Sequence, residues 1–271
     1  TKRLRKLLIV KKIYAVVVTH NRQALLLQCL EHLVSQTFVL ESIVIVDNCS
    51  TDGTITRLKE DILLNNPQIK LISLKENMGG AGGFSFGMKC AFDDGADYVW
   101  MMDDDAMPHP TALEELMKYA TPQHIYASLA IQDQQTSWEM TVKQGDIWLS
   151  THNPNDILEK MEVRSLPFLG FLIHRKLVEK IGLPDKSFFI AADDTEYCLR
   201  VKQVGSKLYL AGKSWIEHPK AHSQEYKVLG KKINYVSLPP WKRYYDTRNR
   251  IKKKKKHFGF KLYSQTLPSL L

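Results

Sequence analysis

The sequence has little of what would place it in a membrane or in an oxidising compartment. None of its apolar runs approaches the roughly 20 residues that cross a bilayer, and its N-terminus lacks a secretory signal pattern. Cysteine is scarce, and Cys29, Cys49, Cys90 and Cys198 form no closely spaced pair. Such spacing argues against a zinc site and against a disulfide framework. We therefore expect a protein of the reducing cytoplasm.

Internal repeats and linkers are also absent before about residue 220. Apolar residues make up 44% of the chain and charged residues 25%, as in ordinary globular proteins. We expect one α/β domain over residues 1–220 and a basic, aromatic, helical extension over residues 221–271. Because the chain starts on Thr1 and stops at Leu271 within an apolar pattern, we expect the natural protein to continue at its ends.

The net charge of +9 is concentrated towards the C-terminus. Residues 252–256 are five consecutive lysines, flanked by basic and aromatic side chains: Trp241, Lys242, Arg243, Tyr244, Tyr245, Arg248, Arg250, His257, Phe258, Phe260, Lys261 and Tyr263. This composition suits an anionic membrane surface, and a solvated helical face is the simpler alternative. An N-terminal cluster would extend the same surface: Lys2, Arg3, Arg5 and Lys6. We expect no nucleic-acid partner, because the acidic residues described below would repel phosphates.

Apolar strands alternate with helical patterns through the first hundred residues. Continuous, largely β-branched runs predict buried strands over 13–18, 43–46, 69–74 and 98–102. Apolar residues at helical spacing predict a helix after each of the first three strands, the third over 84–91. This alternation predicts a parallel, right-handed βαβ sheet, so the loops that follow the strands gather at one edge.

Residues 125–168 are less regular, with strand-like pieces at 125–131 and 146–149 and two tryptophans, Trp138 and Trp148. A long irregular stretch within a compact domain is often a binding region. Further strands are predicted over 170–174, 208–210 and 214–216, with helices over 176–181 and from Asp193 onward.

Three consecutive aspartates, Asp103, Asp104 and Asp105, follow the fourth predicted strand. Unpaired neighbouring carboxylates raise one another's pKa values, and a hard divalent cation resolves that repulsion. They lie at a strand-to-loop edge, where open α/β sheets bind ligands. We therefore expect a divalent metal site here, with a solvated acidic turn as the alternative.

Residues 77–84 form a predicted loop that carries four glycines ahead of a helix: Gly79, Gly80, Gly82 and Gly83. Glycine allows backbone amides to approach a phosphate, and a helix N-terminus favours an anion. Neither the phosphate-loop pattern nor the dinucleotide fingerprint is matched. Beside an acidic metal site, however, such a segment suits a diphosphate.

Two further groups complete the candidate site. Asp193 and Asp194 open a predicted helix, where carboxylates either stabilise the helix dipole or, near a metal-bound electrophile, act as a general base. His218 ends a predicted strand and is a candidate third metal ligand, although a lone histidine more often belongs to the surface or the core.

Five groups of residues follow one another between residue 13 and about residue 250. They are His20-Asn21-Arg22, Asp47-Asn48 with Ser50-Thr51-Asp52-Gly53, segment 77–84 with 100–105, segment 193–197 with Glu217-His218-Pro219, and Tyr244-Tyr245-Asp246-Thr247-Arg248-Asn249. In this order they resemble an inverting glycosyltransferase of family two with the GT-A fold, a Rossmann-like, mostly parallel central sheet flanked by helices. Segments 77–84 and 100–105 are similar in particular to bacterial galactofuranosyltransferases and the related rhamnosyltransferases.

The resemblance implies a role for each group. One set would hold the nucleotide: Thr19, Asn21, Arg22 and either Asp47 or Asn48. At Asn48 the sequence departs from the family, where many members carry a second aspartate. Another set would line the donor sugar and its phosphates: Asn77, Gly79, Gly80, Gly82, Gly83, Asp103 and Asp104. Mn²⁺ or Mg²⁺ would be bound by Asp103, Asp105 and His218. Asp194 would be the base that deprotonates the acceptor hydroxyl, and Asp193 would either orient it or bind the acceptor. Trp138, Trp148 and Glu196 would contact the acceptor, although both tryptophans suit a core equally well.

The implied activity is transfer of galactofuranose from UDP-galactofuranose to a cell-envelope glycan or lipid-linked glycan. It would take place in the cytoplasm or at the inner face of the cell membrane. A rhamnosyltransferase that uses dTDP-rhamnose is the neighbouring alternative. A nucleotidyltransferase would also use aspartates, a metal and a glycine-rich loop, but it would leave Asp194 and His218 without a role.

Overall fold

The structure, a computed structural model, describes residues 11–62, 66–220, 223–228 and 231–259, with the backbone alone at 61–62, 223–228 and 231–236. The N-terminal basic cluster lies outside the described residues, as do Phe260, Lys261 and Tyr263. No helix within the described ranges is both long and apolar enough to span a bilayer.

The first half of the chain forms the predicted parallel sheet. Its elements are β1 (Ile13–Thr19), α1 (Gln23–Val34), β2 (Ser42–Asp47), α2 (Thr54–Arg57) with a π-helical turn (Leu58–Ile62), β3 (Ile69–Ser73), α3 (Gly79–Asp93) and β4 (Tyr98–Asp103). Strand β1 lies between β2 and β4, β2 pairs with β3, and all three pairings are parallel. The carboxyl ends of β1, β2 and β4 therefore meet at one edge.

The second half extends this sheet with mixed pairing. Its elements are β5 (Met107–Pro108), α4 (Ala112–Met117), β6 (Ile125–Gln132), β7 (Gln135–Thr136), β8 (Met140–Gln144), β9 (Ile147–Thr151), β10 (Met161–Glu162), β11 (Phe171–His174), α5 (Arg175–Ile181), α6 (Asp193–Gln203) and β12 (Leu208–Glu217). The sheet order is β10-β12-β6-β11-β4-β1-β2-β3, and β8 and β9 form a separate hairpin. Strand β11 is antiparallel to both neighbours, whereas β6 and β12 are parallel.

Two features of this half differ from the sequence predictions. The strands predicted over 208–210 and 214–216 form one strand, whose register with β6 shifts between Ala211 and Trp215. The extension predicted to be helical from residue 221 begins instead as a hairpin, β13 (Ser223–Val228) and β14 (Lys231–Val236). Only then does the helix α7 (Pro240–Phe258) follow, with Pro240 at its first position, where proline is tolerated.

Two apolar layers cover the faces of the sheet because side chains alternate along each strand. In β1, Val16 and Val18 belong to one layer, while Ala15 and Val17 belong to the other. Helices α3, α5 and α6 contribute to the first layer, and α1 and α4 contribute to the second. Helices α3 and α6 consequently lie on the same face, and their N-termini can approach one site.

Candidate active site

A cavity of about 510 Å³ opens at the carboxyl edge of the sheet. Its walls come from the ends of β1, β2 and β4, the start of α3, the segment before α6 and the start of α7. Ten of the residues predicted for donor or metal binding line it: Thr19, Arg22, Asn48, Asn77, Gly79, Gly80, Asp103, Asp104, Asp105 and His218. The parallel topology therefore gathers most of the predicted donor site. We call this space the donor cavity.

The three aspartates of the donor cavity have different surroundings. Asp104 is 2% exposed and accepts hydrogen bonds from Thr19 Oγ1 at 2.7 Å and Arg22 Nη1 at 3.1 Å. Arg22 Nη1 also reaches Asp105 Oδ2 at 2.8 Å. Burial, together with the charges of Asp105 and Asp104, holds the pKa of Asp103 well above its usual range. The hydrogen bonds from Thr19 and Arg22 thus fix the Asp104 carboxylate. Because Arg22 also binds Asp105, it holds these two carboxylates close together.

The side of the cavity that was predicted to bind a metal is formed by Asp105 and His218. Their Oδ1 and Nε2 atoms lie 3.5 Å apart. Asp105 Oδ1 and His218 Nδ1 are buried and have no hydrogen-bond partner within the described part of the chain. Burial alone would raise the pKa of Asp105, but His218 and Arg22 outweigh it and lower that pKa. An unsatisfied carboxylate oxygen beside an imidazole fits a divalent cation.

Among the described residues, no group of three or more His, Cys, Asp or Glu side chains is arranged to enclose a metal ion. Mg²⁺ is usually held by one or two carboxylates together with substrate phosphates, not by an all-protein cage. Asp105 and His218 therefore fit a partial shell that a diphosphate would complete.

The predicted nucleotide-binding residues also hold loops together. Asn48 is 2% exposed; its Nδ2 donates to Gly79 O at 2.8 Å, and its Oδ1 accepts from Met78 N at 2.9 Å. Asn21 Oδ1 accepts from Thr51 N at 2.7 Å. Asp47 is fully buried, and its Oδ2 accepts from Ser50 N at 3.0 Å. Asp47 Oδ1 has no partner within the described residues, so it is the free polar atom at this corner.

The four glycines do not form a flexible phosphate-binding loop. They belong to the first turns of helix α3, which already starts at Gly79. A Cβ at Gly79, which has a φ of +69°, would lie 2.1 Å from Phe189 O. Cβ atoms at Gly82 and Gly83 would lie 2.4 Å from Met78 Cβ and 2.5 Å from Val18 Cγ1. Gly82 and Gly83 do not line the donor cavity: Gly83 lets α3 pack closely on β1, and Gly82 leaves room for the Met78 side chain. Their contact with the donor stays a prediction. Gly79 and Gly80 do line the cavity.

Asp193 and Asp194 lie at the start of α6, after a backbone segment with unusual torsions. Phe189, Ala191 and Ala192 have φ angles of 64°, 69° and 61°. Burial and the charge of Asp194 raise the pKa of Asp193 to about 7. Burial also raises the pKa of Asp194, while the nearby Lys253 ammonium opposes the shift. Both carboxyls therefore bind a proton more readily than a free aspartate does, which suits a general base.

A second cavity, of about 390 Å³, begins at Asp194. Its other lining residues are Trp138, Glu139, Met140, Thr141, Arg164, Ser165, Leu166 and Pro167. The Trp138 ring meets the His218 ring edge-on, with centroids 5.6 Å apart. Trp138 therefore stands between the two cavities. We call the second space the Asp194 cavity.

The remaining predicted acceptor residues separate in the structure. Trp148 does not line the Asp194 cavity, but its ring lies 5.0 Å from the Arg164 guanidinium, which does. Glu196 is fully buried and accepts from Arg200 Nε at 3.0 Å and His257 Nε2 at 2.8 Å. The Glu196 carboxylate is thus held by Arg200 and His257 and lines neither cavity, and its contact with the acceptor stays a prediction.

Several lining residues were not predicted. Trp241 and Lys242 of α7 reach the donor cavity, together with Phe189 and Ile190. The sequence placed Trp241 and Lys242 only in a basic surface, because nothing in their spacing relates them to strands more than a hundred residues earlier. Arg164, which lines the Asp194 cavity, was also not predicted, because it belongs to none of the five groups of residues that carry the family resemblance.

The sequence of the chain is similar to those of known proteins. The family model described as Glycosyl transferase family 2 matches residues 14–182, more than half of the chain. Galactofuranosyltransferase GlfT1 of Mycobacterium tuberculosis is 28% identical over 253 residues, which cover 89% of this chain and 81% of that protein. The dTDP-rhamnosyl transferase RfbF of Shigella flexneri is 25% identical over 247 residues, covering 88% and 78%.

The fold is also found among solved structures. The crystal structure of GalNAc-T7 with UDP, GalNAc and Mn²⁺ superposes with a TM-score of 0.68 at 16% identity, over 90% of this chain and 48% of that chain. The structure of S. aureus TarS gives a TM-score of 0.55 at 17% identity, over 78% and 37%. This chain thus spans about half or less of those proteins. The likeness confirms the predicted GT-A fold.

Proposed function

The chain belongs to glycosyl transferase family 2 and is a glycosyltransferase, and we propose that it transfers galactofuranose from UDP-galactofuranose to a hydroxyl of a cell-envelope glycan. Transfer is a single displacement with inversion, assisted by Mn²⁺ or Mg²⁺. One observation carries the proposal: the donor cavity and the Asp194 cavity adjoin across Trp138. A diphosphate bound at Asp105 and His218 and a hydroxyl activated at Asp194 would then approach one anomeric carbon from opposite sides.

In the donor cavity, Asp105 and His218 would hold the cation, with Asp103 beside them. When bound, the cation supplies positive charge against the diphosphate that departs. Burial alone would lower the pKa of the Arg22 guanidinium, but the charges of Asp104 and Asp105 outweigh it and raise that pKa. Arg22 orders both carboxylates while Thr19 fixes Asp104. Lys242, which also lines the cavity, adds a cation on the side of α7.

In the Asp194 cavity, the Asp194 carboxylate would take the proton of the acceptor hydroxyl as the oxygen attacks. The new bond joins that oxygen to the anomeric carbon, and the bond from that carbon to the diphosphate breaks. The nucleoside diphosphate leaves with the electron pair. No side chain forms a covalent bond with the sugar, so one displacement inverts the configuration.

The acceptor would lie along the Asp194 cavity. Trp138 offers an apolar ring face beside the polar groups of Glu139 and Arg164, a combination that suits sugar rings and their hydroxyls. Trp148 would act through Arg164, whose guanidinium it stacks against. This arrangement supports a glycan acceptor, free or lipid-linked.

A dTDP-rhamnose donor is the second candidate, favoured by the similarity to RfbF. Because the chain belongs to a family of glycosyltransferases, we no longer consider a nucleotidyltransferase. A screen of sugar nucleotides with a short galactan or rhamnan acceptor would decide between the donors. Release of UDP from UDP-galactofuranose, dependent on Mn²⁺ or Mg²⁺, is expected. Turnover with dTDP-rhamnose alone would refute the proposed donor.

A further inference from the structure

Helix α7 is bound to the segment that leads into Asp194. Three lysines of the 252–256 run face this segment and α6. Lys252 Nζ donates to Ser187 Oγ, Lys253 Nζ donates to Thr195 Oγ1 at 2.7 Å, and Lys256 Nζ lies 2.9 Å from Glu196 Oε1. Much of the basic run is thus an intramolecular contact.

The segment held in this way has an improbable backbone. Phe189, Ala191 and Ala192 all have φ angles between 61° and 69°, a region that residues with a Cβ rarely adopt. Such conformations persist only where the surroundings over-determine them, and they cluster at functional sites. Something must therefore hold residues 188–192 in place, immediately before Asp193 and Asp194.

Asn249 of α7 fixes residues 188–192 through hydrogen bonds to their backbone. Its side chain is fully buried, and its Nδ2 lies 2.8 Å from each of three carbonyl oxygens, those of Phe188, Ile190 and Ala191. Its Oδ1 accepts from Arg248 Nη2 at 2.8 Å. Arg248 Nη2 also donates to the carbonyl of Phe188 at 2.9 Å, so the two side chains cradle the same turn.

The opposite side of the segment contacts α3. Ala81 N donates to Phe189 O at 3.0 Å, beside Gly79. The Phe189 ring stacks on Tyr245 of α7 with centroids 4.8 Å apart. The segment is consequently clamped between α3 and α7. It borders the donor cavity through Phe189 and the Asp194 cavity through Asp194.

We propose that Asn249 is a positioning residue: through the carbonyls of Phe188, Ile190 and Ala191 it sets the place of Asp194 relative to the donor cavity. The proposal rests on the proposed function, in which Asp194 is the base. It gives the Tyr244-to-Asn249 motif a task next to the proposed active site, performed by a side chain that lines neither cavity.

The test compares Asn249→Ala with Arg175→Met in the full chain. Arg175 is a matched control because its guanidinium donates to the carbonyls of Phe92 and Ala96, remote from both cavities. In Asn249→Ala we expect amide hydrogen exchange of residues 187–195 to rise at least about tenfold, because a local opening needs less free energy. We expect kcat to fall roughly 10²-fold, with a much smaller change in donor KM. Arg175→Met should lower Tm while leaving both readouts near wild type.

Two results would overturn the proposal: unchanged exchange in residues 187–195, or raised exchange with a wild-type kcat. Equal losses of kcat in both variants would also overturn it, since the effect would then follow from general destabilisation. Failure of the proposed function looks different. Wild-type enzyme would release no nucleoside diphosphate from any donor, whereas the exchange data would still report whether Asn249 holds the segment.

Discussion

At the scale of single residues, Asp104 and Asp105 have different surroundings although they are neighbours in the aspartate triplet. Asp104 is buried against Thr19 and Arg22, so its loss should disturb the fold of the site. Asp105 presents an unsatisfied oxygen toward His218, so its loss should disturb ligand binding. Within this triplet of identical residues, Asp104 therefore has a structural role, and we expect Asp105 to have a binding role.

Asp105→Ala tests this division. We expect metal-dependent UDP binding to weaken by about tenfold or more, as metal-shell substitutions do, with a smaller fall in Tm than Asp104→Ala causes, because Thr19 keeps its partner. Isothermal titration with and without Mn²⁺ measures it. Asp104→Ala is the comparison, and it should lower Tm because Arg22 and Thr19 lose their partner. An Asp105→Ala affinity that still depends on Mn²⁺ as in wild type would remove Asp105 from the metal role.

Asp194→Asn should abolish most of the turnover and keep donor binding. Loss of a general base costs roughly 10²–10⁴-fold in rate, while UDP binds in the other cavity. Steady-state nucleotide release and UDP titration measure the two effects. Asp93→Asn is a suitable control, because Asp93 is an exposed aspartate at the end of α3 that pairs with Lys89 and lines neither cavity. Lost UDP binding with surviving turnover would contradict the assignment.

The pH dependence of transfer should reflect the raised pKa of Asp194. The base acts as a carboxylate, so turnover is lost as the pH falls through that pKa, at a higher pH than for a free aspartate. Lys253 stabilises the carboxylate by its charge. Lys253→Met should therefore move the acid limb of kcat to still higher pH. Lys255→Met, at an exposed position, should leave the profile unchanged, and equal shifts in both variants would point to a general charge effect.

At the scale of helices and strands, the sequence predicts best where one physical rule dominates. Strands β1, β2 and β4 are continuous apolar runs buried on both faces, and all were predicted. The start of α3 was not, because glycine disfavours helix. Close packing on β1 overrides that preference, since Gly83 and Gly87 leave room for Val18 and Val16.

The basic run shows a second limit. Lys252, Lys253 and Lys256 share one face of α7, and Lys255 is exposed. Five identical residues contain no periodicity, so no pattern could tell which of them face the protein. Their partners lie about sixty residues earlier in the chain. Only the tertiary structure identifies them.

Gly79→Ala and Gly80→Ala compare two neighbouring positions in the first turn of α3. At Gly79 the positive φ and the approach of Phe189 O both oppose a Cβ, while a Cβ at Gly80 would meet nothing within 4 Å. The left-handed conformation alone costs about 1–2 kcal/mol, or a fall in Tm of roughly 2–8 °C for a chain of this size. We expect Gly79→Ala to lower Tm by at least this amount and Gly80→Ala to leave Tm unchanged. Calorimetry measures it, and equal Tm values would contradict the clamped geometry.

At the scale of the whole molecule, α7 belongs to the catalytic unit. Trp241 and Lys242 line the donor cavity, Asn249 holds the segment before the base, and Lys256 pairs with Glu196. The predicted division at residue 220 therefore stays a description of sequence composition. It does not mark where the active site ends.

Docking to an anionic membrane beside a lipid-linked acceptor stays a proposal for the exposed side of α7. Lys254 and Lys255 make no ion pair or hydrogen bond with the described part of the chain, so they are free for lipid headgroups. Replacing both with glutamine should weaken flotation with phosphatidylglycerol vesicles, since each basic residue near such a surface contributes about 1 kcal/mol. Turnover on a water-soluble acceptor should not change. Unchanged flotation would favour a simply solvated helical face.

The position of Asn249 in the chain has a consequence for biosynthesis. A ribosome releases the sheet and both aspartates of α6 before it releases α7, and domains fold as they emerge. Until α7 docks, the carbonyls of Phe188, Ile190 and Ala191 lack the Asn249 amide that binds them. A nascent chain can therefore form its central sheet early, yet the wall of the donor cavity that holds Trp241 and Lys242, and the contacts that fix residues 188–192, form only when α7 is complete.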